Sequence, residues 1–489
     1  MRLIALTMSV LGAVGALAGS AMASPWAEVG DRQLREDVER LKAARVITGP
    51  VNAWPLPWAT MSEVNAAADD SALAPQLRAA ARRLVAHLDL AEQRQSYEIR
   101  TGFTNRPALI RDFGTVAREE ADLSFRTQRQ AGPLFVSLGA GYRSGQRGRD
   151  WHLEPSYLAL KLGNWSLYGG YVEHWWGPGN DSALLFSNAT RAFPKIGFKR
   201  LEAHPIDFPV LRWLGPWRLD AFIGTLNEKR DDYDNPKVIG LRFNFEPTPG
   251  LEIGLNRALQ LCGKGRPCGL KTIGKALTGF GNADNTGTVD EPGNQLAGFD
   301  ISYTSRIGPV TARFYGEMEA EDEDNLIVDK FARMAGMKLS GPLSDSGSSW
   351  EAGIEYTDTL AWELTTGDRF AGTMYNNFIY TSGFTYRGRP IAASIDGDSK
   401  LIGLSGAITD TANRRWYGSL RHANINRTYV AQQRISRTPE KIDIATGGVE
   451  WPTEFGDLKL EARYMTNAPN TLGRSPNKAE IEFGWRSRF

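Results

Sequence analysis

Only two cysteines occur in 489 residues, Cys262 and Cys268. That excludes a disulfide-dense scaffold and a four-cysteine zinc centre. The pair sits in a Gly/Pro loop, Cys262-Gly-Lys-Gly-Arg-Pro-Cys268. In an exported chain it reads as a disulfide pinning a small loop, and no metal is expected. Charge of one sign is also missing: 57 Lys and Arg face 56 Asp and Glu. With no basic run, bulk nucleic-acid binding is excluded. Past residue 18 no stretch of about 18 apolar residues occurs, so no membrane-spanning helix is expected. Signature motifs of hydrolases, metalloproteases, P-loops and dinucleotide folds are absent, and there are five histidines. His174, beside Glu173, is the best candidate for acid–base work, but no nucleophile or metal constellation can be built around it. The chain is read as a non-enzyme without a cofactor, with an outer-membrane hydrolase as a minority alternative.

What the chain does contain is alternation. The last eleven residues place Ala479, Ile481, Phe483, Trp485 and Phe489 on one face and Glu480, Glu482, Arg486 and Arg488 on the other. Period two is the mark of a strand with one greasy and one wet face. A final Phe closing such a strand looks like the terminal signal of bacterial outer-membrane barrels. The first residues agree: Arg2, an apolar run from Leu3 to Ala18, and an A-x-A site at Ala21-Met22-Ala23 read as a signal peptide over 1–23. Mean hydropathy is only −0.35, yet there are 14 Trp, 15 Tyr, 21 Phe and 51 Gly. Aromatic girdles around a polar lumen produce that combination.

Residues 24–96 read as a helical segment on the periplasmic side. Leu34, Val38, Leu41 and Val46 recur near helical spacing. Thr60 with Glu63 matches a capping box, and Leu77, Ala81, Leu84 and Leu88 form a third stripe behind Pro75. From Tyr97 the period becomes two, with clear segments such as Leu134–Tyr142, Trp217–Leu226, Val238–Phe245 and Leu458–Tyr464. With about 10 residues per strand and similar connections, residues 97–489 make an antiparallel transmembrane β-barrel of about 18 strands. So wide a barrel leaves an open lumen unless something fills it. Two aperiodic, Gly-rich stretches, 173–191 and 257–295, are the candidate plugging loops.

Chemistry concentrates in Tyr171-Val-Glu173-His-Trp175-Trp176-Gly177-Pro178-Gly179-Asn180-Asp181. Two adjacent indoles cannot both face lipid on one strand. One reading is a sugar site: an indole stacks on a pyranose while Glu173, Asn180 and Asp181 bond its hydroxyls. The other is an aromatic turn that packs a loop into the lumen. Arg191 joins the candidate list, as do Arg257 and Gln260, whose groups could meet an acidic sugar; the plainer reading of Arg257 is a lumen cation paired with a carboxylate. The acidic run Glu319 to Asp324 reads as a solvated loop. Asn282 to Gly287 matches part of a calcium-loop pattern, but position 12 counted from Asn282 is Gly293 and not Glu, so no calcium site is read there.

These residues resemble the Wzi-type capsule assembly proteins of Gram-negative outer membranes. The resemblance lies in Leu41 to Pro50 followed by Trp54-Pro-Leu-Pro-Trp58. It continues in Trp175 to Gly179 with Leu184 to Ser187 and Arg191 to Pro194, and in Arg257 to Gln260 with Gly263, Gly265 and Arg266. The ordered set runs along essentially the whole chain, although the cysteine pair has no place in the family pattern. The resemblance implies a loop-closed barrel with a small helical bundle at its periplasmic mouth. It also implies a lectin-like role, holding exported capsular polysaccharide or exopolysaccharide at the cell surface. The expected partners are that polymer, outer-membrane lipid and the polysaccharide export machinery, with a monomeric barrel. A porin or sugar-selective channel is the alternative.

Overall fold

The computed structural model describes residues 24–145, 148–278, 293–321, 323–324, 327–328, 330–471 and 476–489. The expected signal segment, Asn282 to Gly287 and Asp322 lie outside these residues. Three helices come first: α1 (Arg32–Ala43), α2 (Val64–Asp69) and α3 (Pro75–Glu92). Asp31 caps α1 by accepting from the Leu34 amide at 3.0 Å. Thr60 caps nothing; its hydroxyl donates to the Pro57 carbonyl at 2.6 Å within a 3-10 turn at Trp58–Met61.

Eighteen antiparallel strands follow and close on themselves. They are β1 (Gln95–Thr104), β2 (Ala121–Ala131), β3 (Leu134–Gly145), β4 (Tyr157–Leu162), β5 (Trp165–Tyr171) and β6 (Pro194–Arg200). Next come β7 (Trp217–Thr225), β8 (Lys237–Thr248), β9 (Leu251–Leu261), β10 (Gly293–Ile307), β11 (Val310–Glu321) and β12 (Lys330–Pro342). The last six are β13 (Ser349–Glu363), β14 (Lys400–Thr409), β15 (Arg415–Ile425), β16 (Glu440–Thr453), β17 (Gly456–Met465) and β18 (Ala479–Arg488). The seam pairs β18 with β1, Phe483 opposite Phe103 and Arg488 opposite Glu98. Closure removes every free edge, which an apolar solvent demands.

The two faces obey the alternation. Phe103, Leu123, Leu167, Ile301, Phe314, Leu420 and Phe483 stand exposed on the outer wall. Inside, the strands bury charge in pairs: Arg242 meets Asp300 at 2.5 Å, and Arg463 meets Glu480 and Glu482 at 2.8 Å each. An exposed apolar surface of this extent is a lipid interface. Two-residue turns at 132–133, 163–164, 249–250, 308–309 and 454–455 all lie at the barrel end that carries β1's start and β18's finish; apart from 201–216 between β6 and β7, the long connections lie at the other.

Helix α1 is the unexpected part. Arg35, Glu36, Asp37, Glu39, Arg40 and Lys42 are all buried. Its apolar face, Leu34, Val38 and Leu41, packs in the helical core; the charged remainder, which finds few homes in a protein, meets the charged inner wall of the barrel. Glu39 takes Arg313 and Lys338 at 3.0 Å each, Lys42 takes Glu246 and Glu252 at 3.4 Å each, and Glu36 is paired with Arg415. These partners lie near the strand ends that carry the two-residue turns, so α1 sits in that mouth of the barrel, against its inner wall. Burial raises the Glu39 carboxyl, but Arg313, Lys338 and Arg35 outweigh it and hold it well below the usual range.

Candidate functional site

The connection 172–193 leaves β5 and turns inward. Gly177 makes the turn at φ +135°, where a Cβ would lie 2.5 Å from a Glu317 carboxylate oxygen, so only glycine fits. Trp175 and Trp176 form a two-residue ladder with Trp54 and Ala53 of the N-terminal segment. Their rings point to opposite sides. Trp175 enters the helical core, edge-on to Phe113 with centroids 5.5 Å apart, and donates its indole N–H to the Gly179 carbonyl at 3.1 Å. Trp176 enters the lumen core against Phe186 at 4.8 Å and Phe222 at 5.5 Å. Both are 0% exposed. The pair bolts the helical segment to the barrel interior and is not presented to a solvent-borne sugar, which fits the aromatic turn that packs a loop into the lumen and not the stacking site.

The neighbouring polar candidates complete this clamp. The Asp181 and Asn180 amides donate to Glu355 at 3.1 and 2.7 Å, Asp181 pairs with Arg421 at 2.8 Å, and Lys338 donates to the Asn180 side chain at 3.1 Å. Gln260 is fully buried and reaches the Gly383 carbonyl at 3.4 Å. Arg257 faces outward rather than into the lumen; it donates to the carbonyls of Ala276 and Leu277 and to Gln295. Those carbonyls belong to a fourth helix, α4 (Leu270–Thr278), so this helix of the second expected plug lies on the outer wall. The start of the acidic run is not solvated either: Glu319 is buried and accepts from Asn256 at 2.7 Å.

The second plug is a loop the alternation analysis passed over, 364–399 between β13 and β14. It buries Met374, Tyr375, Tyr380, Phe384 and Tyr386. The Tyr375 hydroxyl donates to the Leu184 carbonyl at 2.7 Å and the Thr190 hydroxyl to the Tyr386 carbonyl at 2.6 Å, so the two plugs knit together. Its aromatic density without any period was the available signal.

Between the helical segment and the wall flanking the seam a cavity of about 490 Å³ remains. Its lining combines guanidiniums, carboxylates and aromatic rings: Arg118, Arg143, His152, Glu154, Tyr157 and Glu173 among them. Arg118 pairs with Glu173, whose side chain is 31% exposed. Arg143 bridges Asp122 at 2.7 Å and Glu154 at 2.8 Å. Arg191, half-buried near this cavity, pairs with Asp150 at 2.5 Å. Convergent donors and acceptors beside ring faces suit a polyhydroxylated ligand. His174, the sequence candidate for acid–base work, does not line this cavity: it lies in the interior, 3.4 Å from Asp220, and burial with the Lys195 charge pushes it down to about 3. It is neutral and sealed at physiological pH. Among the described residues no group of three or more metal-ligating side chains is found.

A profile of the family described as "Capsule assembly protein Wzi" matches residues 91–464. A protein of the cps region of Klebsiella pneumoniae, described as uncharacterized and of 55.8 kDa, is 29% identical over 433 residues, covering 86% of this chain and 81% of that one. The solved structure of Wzi, described as an outer-membrane carbohydrate-binding β-barrel involved in group 1 capsule assembly in Escherichia coli, superposes with a TM-score of 0.79. It is 23% identical and covers 94% of this chain and 99% of its own.

Proposed function

Because the chain belongs to the Wzi capsule assembly family, we propose that it is an outer-membrane lectin that holds exported capsular polysaccharide or exopolysaccharide at the cell surface. The observation that carries this reading is a lumen occupied by the chain itself. Helix α1 and the two knitted loops fill it, leaving the polar, aromatic-lined cavity. A conducting porin needs that space empty. Outer-membrane barrels have short periplasmic turns and longer outer loops, which orients the two-residue turns and the helical segment toward the periplasm and the loops 172–193 and 364–399 outward. Binding is non-enzymatic, through the ring faces and paired charges of the cavity, with Arg118 and Glu173 at its rim and Arg191 near it.

Deleting the gene should shift polymer from cells to medium while total synthesis is unchanged. Equal cell-bound polymer in mutant and parent sinks the reading. Purified protein in planar bilayers should show no steady open-pore current; such a current favours the channel alternative.

A further inference from the structure

Helix α4 follows Cys268, which is disulfide-bonded to Cys262 at the end of β9. It lies against the outward face of the barrel, where Ile273 and Ala276 cover Ile239, Leu259 and Leu261. Ile239 is level with Ile223 and Ile196 across the sheet, both exposed on the lipid-facing wall. The helix therefore sits beside acyl chains, with Leu270 88% exposed. Its charge is one-sided. Residues 253–283 contain Arg257, Lys264, Arg266, Lys271 and Lys275 and not one Asp or Glu. The placement is built: Arg257 bonds the carbonyls of Ala276 and Leu277, the Lys264 amide donates to the Asp234 carbonyl at 2.8 Å, and the Tyr380 hydroxyl to the Cys262 carbonyl at 2.8 Å. Lys264 and Lys271 are exposed.

We propose that residues 262–277 form a basic foot on the outer wall that binds the phosphate groups of lipids in the adjoining leaflet. Apolar side chains at acyl depth beside ammonium groups match an amphiphile with an anionic head. An exported polymer offers the charge without the acyl surface. The inference rests on the outer-membrane reading above, but it does not depend on glycan recognition.

The test titrates the purified full chain in neutral detergent with lipid A carrying two phosphates, counting bound lipid by native mass spectrometry. Lipid A stripped of phosphate is the comparison. The double variant K264Q/K271Q should bind the phosphorylated lipid on the order of thirtyfold more weakly, from roughly fivefold per cation near an anionic surface. Its heat-modifiable gel band should match the parent, as should polymer retention on cells, which separates this inference from the lectin reading. Equal affinity of parent and variant overturns the proposal, as does equal affinity for stripped and phosphorylated lipid. A variant that keeps lipid binding and loses polymer overturns it as well, returning the foot to the glycan surface.

Discussion

Replacing Trp176 by alanine tests whether the indole pair is a bolt. The ring is wholly buried and contacts Phe186 at 4.8 Å, Phe222 at 5.5 Å and His174 at 5.5 Å. Truncating such a Trp costs roughly 3 to 5 kcal/mol. The wall does not share that loss, because its ladders run strand to strand without the plug. The cost falls on the docking of 172–193, whose open population rises by roughly two to four powers of ten. Limited proteolysis should cut that connection in the variant and not in the parent, at unchanged heat-modifiable gel mobility. Bilayer recordings should show intermittent conductance where the parent shows none. A variant as protease-resistant and silent as the parent refutes the bolt. Loss of glycan binding with the plug still shut would place Trp176 in the binding site instead.

Four further outcomes follow from the same contacts. His174 is depressed to about 3, so the unfolded plug binds its proton more readily than the docked one; docking is fully supported above about pH 6.5 and weakens as pH falls, by up to about 1.4 kcal/mol per unit. Proteolysis between pH 6.5 and 5 should accelerate in the parent and be flatter in His174→Gln; identical slopes would exclude His174 as the sensor. Asp181→Ala leaves Arg421 buried with one fewer carboxylate and should destabilise the clamp by about 3 kcal/mol or more, with Asp181→Asn milder, as thermal melts of the two variants would reveal. Arg118→Ala and Glu173→Gln should weaken retention of polymer by cells while proteolysis stays parental; unchanged retention removes the cavity rim from the site. Deleting Phe489, which stacks on Tyr97 with centroids 5.6 Å apart and exchanges two backbone hydrogen bonds with it, should slow insertion, seen as unfolded protein accumulating on gels, without altering polymer binding by the assembled fraction.

The wall was legible because lipid reads one residue in two. Ile481 and Phe483 face out and Glu480 and Glu482 face in as the terminal alternation requires. Strand β2 was harder to see: beyond Phe125 its outer face carries Thr127 and Arg129, which no longer need to be apolar. The apolar stripe of α3 was also plain, since Leu77, Ala81, Leu84 and Leu88 are buried as a set. Helix α1 misled because its charges are normally a solvated face, and only the opposite charges of strands far along the chain make them an interior. The clamp was half legible. The Trp pair announced an ordered loop, but the ladder to Trp54 links residues with no common local pattern. Arg257 went the wrong way because the two faces of β9 are told apart by parity, and a covering helix makes its upper outer face resemble an inner one.

The ladder between residues 53–54 and 175–176 also constrains the order of assembly. It joins segments more than a hundred residues apart, and α1 lies inside a wall whose two edge strands are the first and last to be made. The wall partners of α1 run from Glu246 on β8 to Arg415 on β15, so the first helix made finds its last partner only when most of the chain exists. Such distant contacts make folding slow, and until the seam closes β1 and β18 each present an unpaired edge open to wrong partners.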